Sequence, residues 1–219
     1  MKKIKSFSSK EAVKGMARYG INPNKTLGVS IPCLRNIAGE IGKDHFLAIQ
    51  LWATEIHEAR ILASMVDEQQ LVTEKQMERW VKDFDSWDVC DQCCMNLFEK
   101  TDFAYKKAVQ WSRNRHTFTK RAGFTLMARL AVSDKKMNDK TFLKFFPLIK
   151  KESVDERNYI KKAVNWALRQ IGKRSLYLNK QAINLAKEIQ KLDSKSARWI
   201  ANDALRELTS EAVRKRIKK

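Results

Sequence analysis

An all-α fold of stacked helix pairs is predicted by three features of the chain. Apolar residues recur with helical period almost everywhere, and no stretch alternates convincingly with the period of two that a half-buried strand requires. Glycine (7) and proline (3) are scarce in 219 residues, which favours long helices with short connections. Segments also echo one another: Lys120-Arg121-Ala122 resembles Lys161-Lys162-Ala163, 41 residues on, and Ala167-Leu168-Arg169 matches Ala204-Leu205-Arg206, 37 residues on. Offsets near 40 are the size of a HEAT-type helix pair. Such a pair cannot bury its apolar face alone, so neighbours stack into a HEAT-like solenoid, an α–α superhelix with a concave surface.

Taken in order, Ser8 and Ser9 can cap a first helix running to Tyr19, and residues 20–30, with Pro23 and Gly28, read as a loop. Helices are then expected at 31–42, 44–54, 57–67, 74–84, 87–100, 102–113, 116–132, 139–150, 155–172, 178–191, 194–208 and 210–217. The short joints favour a single repeat domain spanning 1–219.

Charge is divided unevenly. Residues 1–100 carry 14 Lys/Arg against 14 Asp/Glu, and residues 101–219 carry 30 against 11, so the whole net charge of +19 sits in the second half. Self-repulsion on that scale opposes compaction and points to an anionic partner, for which nucleic acid, an anionic membrane surface and a ribosomal setting are all chemically apt. No run of about 18 apolar residues exists to span a membrane, and Met1 to Lys10 has no signal-peptide character, so a cytoplasmic location is expected, nucleoid-associated when bound to DNA.

Cys90, Cys93 and Cys94 crowd into one helix without the second ligand pair that a zinc site needs, and read as small buried hydrophobes. No Gly-rich phosphate loop, Ser/His/Asp arrangement or HExxH is present; His57-Glu58-Ala59-Arg60 lacks the second histidine and reads as a tie between helices.

Three constellations stand apart from the core pattern. In the helix 155–172, Ile160, Ala163, Val164, Ala167, Leu168 and Ile171 form one apolar arc, while Tyr159, Lys162, Trp166 and Arg169 share another side, with Trp166 roughly 120° from the arc's centre. That aromatic and cationic stripe either binds sugar, base and phosphate or packs into the next repeat. In Ser86-Trp87-Asp88-Val89-Cys90-Asp91, Ser86 is placed to cap a helix, and Trp87 and Asp91 lie one turn apart. A carboxylate beside an indole attracts a cationic group; alternatively Asp88 and Asp91 favour the helix start and pair with arginines. Arg121 lies on a helix apolar almost all round, where a buried guanidinium needs Asp88 or Asp91 as partner, or else reaches a phosphate. Lys120, Lys161, Lys162, Lys195 and Arg198, with Arg113, Arg115, Lys173 and Arg174, have the character of DNA-backbone contacts, and the terminal run Arg214 to Lys219 adds nonspecific attraction.

With these residues in view, the chain resembles the AlkD-like DNA alkylation repair family, the HEAT-like repeat DNA glycosylases, over nearly its whole length. The resemblance rests on Met16-Ala17-Arg18-Tyr19, Ser86-Trp87-Asp88-Val89-Cys90-Asp91, Thr119-Lys120-Arg121-Ala122 and Lys162-Ala163-Val164-Asn165-Trp166-Ala167-Leu168-Arg169, in that order. It implies a concave basic cleft around duplex DNA and hydrolysis of the N-glycosidic bond of cationic N3- or N7-alkylated purines, with no metal or organic cofactor and a monomer as the simplest state. The family's catalytic carboxylate falls on Asp91, its tryptophans on Trp87 and Trp166, its cleft arginine on Arg121 and its N-terminal tyrosine on Tyr19. Two positions depart from the pattern: Ser86 stands where active members often carry a tryptophan, and Tyr159 where a phenylalanine is expected. Some relatives bind DNA, including branched forms, with little glycosylase activity, which makes non-enzymatic DNA-structure binding the alternative function.

Overall fold

Capping side chains set where many of the helices begin. Ser9, Ser30, Asp44, Thr73, Asn138, Ser175 and Ser194 each accept a backbone N–H from the first turn that follows, satisfying a donor the helix cannot. The computed structural model describes residues 1–217; Lys218 and Lys219, the end of the basic run, lie outside the described residues. Among the described residues every regular element is helical, and none is long and apolar enough to cross a membrane. The chain divides into a first unit, Met1–Phe103, and a second that starts at Ala104. The electroneutral stretch thus lies in one unit and almost all of the basic excess in the other.

The first unit contains α1 (Lys2–Ser6), α2 (Lys10–Arg18), α3 (Ile31–Ile41), α4 (His45–Ala53), α5 (His57–Val66), α6 (Glu74–Lys82) and α7 (Trp87–Asn96), with single 3-10 turns at Gln69–Leu71 and Phe98–Lys100. Helix α1, five residues long, is too short to show a period and is not anticipated from the sequence. Helix α5 is the unit's axis, with His57 through Ser64 and Val66 all buried. Helices α4 and α5 each pack against a helix that follows, α6 and α7. Trp52 on α4 lies flat on Trp80 of α6, ring centroids 3.9 Å apart and planes 4° apart. Ser64 on α5 accepts a hydrogen bond from Asn96 of α7 at 3.1 Å. That bond spans 32 residues, shorter than the offsets visible in the second half of the sequence.

The second unit contains α8 (Ala104–Ser112), α9 (Thr117–Ser133), α10 (Asp139–Leu143), α11 (Phe146–Glu152), α12 (Asn158–Gly172), α13 (Leu176–Gln190), α14 (Lys195–Leu208) and α15 (Glu211–Ile217). The single helix expected at 139–150 is broken in two, because Pro147 has no N–H to donate and its ring is tolerated only in a first helical turn, here that of α11. Helices α9, α12 and α14 lie side by side and parallel. At their starts, Arg157 donates to the Arg115 carbonyl (2.8 Å) and Ser196 to the Asp155 carbonyl (2.9 Å). At their far ends, Arg174 donates to the Asp134 carbonyl (2.6 Å), and Arg169 pairs with Glu207. Their first residues, 117, 158 and 195, are separated by the same 41 and 37 residues as the sequence echoes.

Helix α9 is buried from Thr119 through Ala128, as its all-round apolar character requires. It approaches α8 closely at Gly123, where an added Cβ would lie 2.3 Å from the backbone nitrogen of Ser112. A backbone obstacle cannot turn aside as a side chain would. Gly123→Ala is therefore expected to lower stability by about 3 kcal/mol, read by urea unfolding, although alanine is the better helix former. An unchanged midpoint would show that the α8–α9 packing shifts freely.

Candidate nucleic-acid interface

In the first unit, the residues singled out around Trp87 are organised by the loop after α2. The Trp87 indole N–H donates to the Tyr19 carbonyl at 3.1 Å. Ser86 occupies the cap position of α7, but its hydroxyl does not cap the helix; it accepts the Asn22 backbone N–H at 3.0 Å, and the Asn22 amide donates to Asp85 at 2.7 Å. The polar residue expected to start α7 instead docks a distant loop. Tyr19 itself is 77% exposed, and Trp87 and Asp91, one turn apart, are both partly exposed. On the opposite side of α7, Cys90, Cys93 and Cys94 are wholly buried, and burial pushes the Cys93 and Cys94 thiols well up. They are core residues.

Asp88 is held by a histidine, not by an arginine: its Oδ2 lies 2.8 Å from His57 Nε2, and the His57 side chain is almost fully buried. Burial opposes charge on this imidazole, yet the Asp88 hydrogen bond, aided by Glu58 and Asp85, outweighs it and leaves the pKa raised. With the tie of Arg60 to the Asp83 carbonyl, the segment from His57 to Arg60 does join neighbouring helices. A raised pKa means that the stabilisation is complete below the unfolded value of about 6.5 and is lost as pH climbs through the folded value. Melting temperature is expected to fall with rising pH above neutrality, and His57→Asn to flatten that slope. Parallel slopes would exclude His57 as the group responsible.

In the second unit, α12 matches the predicted geometry closely. Ile160, Ala163, Val164, Ala167, Leu168 and Ile171 are fully buried; Tyr159, Trp166 and Arg169 are partly exposed and Lys162 is exposed. Arg121 on α9 is buried and donates to the Tyr159 carbonyl at 2.8 Å. The Tyr159 ring packs on Phe118, centroids 5.4 Å apart.

The cations expected to be backbone contacts divide into two groups. Lys120 is buried between Glu152 and Asp155. Burial opposes charge on Asp155, but hydrogen bonds from Arg157 and Lys120 hold its carboxyl down to about 2. Arg169 pairs with Glu207 and Asp203 of the following repeat. Their acidic partners lie 32 to 38 residues away, so no local reading of charge along one helix pairs them. Both act as struts between helices. Lys162, Lys195 and Arg198 remain exposed, Arg198 with Asp193 as a surface partner at 3.2 Å, and Lys161 lies partly exposed with its ammonium 5.0 Å from the Trp199 ring. Trp199 is missing from the residues singled out above, although its place off the apolar arc of α14 gives the same signal as Trp166 on α12.

A family model described as DNA alkylation repair enzyme matches residues 1–208. A solved structure described as a new family of proteins related to the HEAT-like repeat DNA glycosylases, with affinity for branched DNA structures, superposes with a TM-score of 0.79 at 19% identity, covering 95% of this chain and 94% of that one. A crystal structure of an engineered protein aligns with a TM-score of 0.40 at 13% identity over 81% of this chain and 91% of that one. No curated protein matches in sequence. The all-helical architecture is the HEAT-like repeat fold, and the chain belongs to the DNA alkylation repair enzyme family.

Proposed function

We propose that the protein is a DNA glycosylase that releases cationic N3- or N7-alkylated purines from duplex DNA. The observation that carries this reading is the arrangement at the start of α7: an indole anchored by its N–H to the Tyr19 carbonyl, with Asp91 one turn further along. An alkylated purine already carries the positive charge of a good leaving group, so the reaction has little need of a general acid. As the N-glycosidic bond breaks, positive charge develops on the sugar. Asp91 stabilises that charge and orients water, and Trp87 offers the same charge its π face. Asp88 is held by His57, and it is Asp91 that stands at the position of the family's catalytic carboxylate.

The second unit supplies DNA binding, through Lys161, Lys162, Lys195 and Arg198 for phosphates, with Tyr159 and Trp166 as further contacts to the nucleotide backbone and Arg121, through the Tyr159 carbonyl, fixing the start of α12 for them. Tyr19, exposed next to Trp87, is a further contact. Both units serve one repeat domain, and the protein acts as a monomer. Release of 7-methylguanine or 3-methyladenine from duplex DNA tests the reading. A protein that binds the duplex and releases neither base would leave DNA-structure binding without base release. That second reading is suggested by the affinity for branched DNA described for the solved relative.

A further inference from the structure

Trp199 has no part in the chemistry proposed above. It lies in the second turn of α14 and is 41% exposed, while the core face of the same helix, Ala197, Ile200, Ala201, Ala204 and Leu208, is fully buried. The indole therefore lies off the packed face of α14, with much of its surface open. Cations surround it: Lys161 lies 5.0 Å from the ring, Lys195 is its neighbour one turn back, and Arg198, which pairs with Asp193 at 3.2 Å, precedes it. The nearby carboxylate of Glu156 accepts the Ser194 hydroxyl at 2.8 Å and the Ser196 backbone N–H at 3.1 Å, which favour its ionised form, so it offsets part, though not all, of the positive charge of these side chains.

We propose that Trp199, with Lys161 against its ring, is a stacking platform for an unstacked nucleotide, giving the protein a preference for DNA with a flap, gap or frayed junction over continuous duplex. The inference rests on the DNA-binding reading above and adds a form of DNA to it. In continuous duplex the base faces are stacked on one another, and a protein surface meets only phosphates, sugars and base edges. An exposed indole can stack on a base face only where a base has left the stack. Every base has a π face, so this recognition is indifferent to sequence, and the surrounding ammonium and guanidinium groups hold the phosphates on either side.

Fluorescence anisotropy with labelled DNA of two forms, a single-stranded flap and a blunt duplex of equal length, tests the proposal on the full chain. Trp199→Ala should weaken flap binding by about tenfold while changing duplex binding by less than about twofold, and Trp199→Phe should retain most of the preference. Trp199→Leu keeps apolar bulk without a π system and should behave as Trp199→Ala, which separates stacking from packing. Lys195→Ala should weaken both forms alike and reduce the salt dependence. A Trp199→Ala protein that binds both forms as the wild type does, or that loses both equally, overturns the platform and leaves DNA binding intact. A wild-type protein that binds neither form overturns both readings.

Discussion

Asp91→Asn is expected to slow single-turnover release of 3-methyladenine or 7-methylguanine by a hundred- to a thousand-fold while leaving duplex affinity unchanged or slightly raised. The magnitude follows from the charge that the carboxylate meets. A full charge about 4 Å from a developing cation, at the effective dielectric of about 20 found near protein surfaces, contributes about 4 kcal/mol, close to a thousand-fold in rate. The charge on the sugar is only partial at the transition state, and the amide retains some dipole, which brings the lower bound to about a hundred-fold. The sign on affinity is opposite because Asp91, in the proposed complex, would face a polyanion, so neutralising it relieves repulsion. Asparagine preserves the shape, so the α7 start and the bond from Trp87 to Tyr19 should survive. An Asp91→Asn protein with wild-type release would remove the chemical role of this carboxylate, whatever the affinity.

Much of this was open to a reader of the sequence, for a physical reason. The 3.6-residue period is a property of single helices, so α12 could be laid out face by face from its own residues, and each residue assigned to its apolar arc is fully buried. The repeat was legible where its length is near 40 residues, because α9, α12 and α14 begin at the offsets of the echoes. In the first unit the ties between successive repeats span 31 or 32 residues and join unlike pairs, His57 to Asp88 and Trp52 to Asp83, so no run of letters repeats. What local reading could not supply is the partner of a charge. Lys120 and Arg169 look like free cations along their own helices and are neutralised by acids one repeat further on. Ser86 looks like a cap and serves a loop 64 residues before it.

The largest effect on stability is expected at a residue with no part in the chemistry. Glu58 is fully buried, and its carboxylate accepts the backbone N–H groups of Leu27 (2.9 Å), Gly28 (2.6 Å) and Val29 (3.2 Å). These donors belong to the loop that links α2 to α3, and the loop's conformation depends on them. Gly28 has φ of +78°, and a Cβ there would lie 2.3 Å from the Ser9 carbonyl, so only glycine brings the backbone into reach of the carboxylate. Glu58→Ala leaves three donors without their acceptor and should lower stability by about 3–5 kcal/mol, a large share of what a domain has. Glu58→Gln keeps an accepting oxygen but not the charge, and should cost about 1–3 kcal/mol. The consequence reaches the proposed site, because Asn22 and Tyr19 at the head of this loop hold Ser86 and Trp87. Under conditions where Glu58→Ala remains folded, base release should fall further than DNA binding, since the loop positions Trp87 while the phosphate contacts proposed above belong to the second unit. Urea unfolding and hydrogen exchange at residues 27–29 read the two halves of this expectation. Unchanged protection of those amides in Glu58→Ala would show that the loop holds its shape without the carboxylate, and would detach Glu58 from the placement of Trp87.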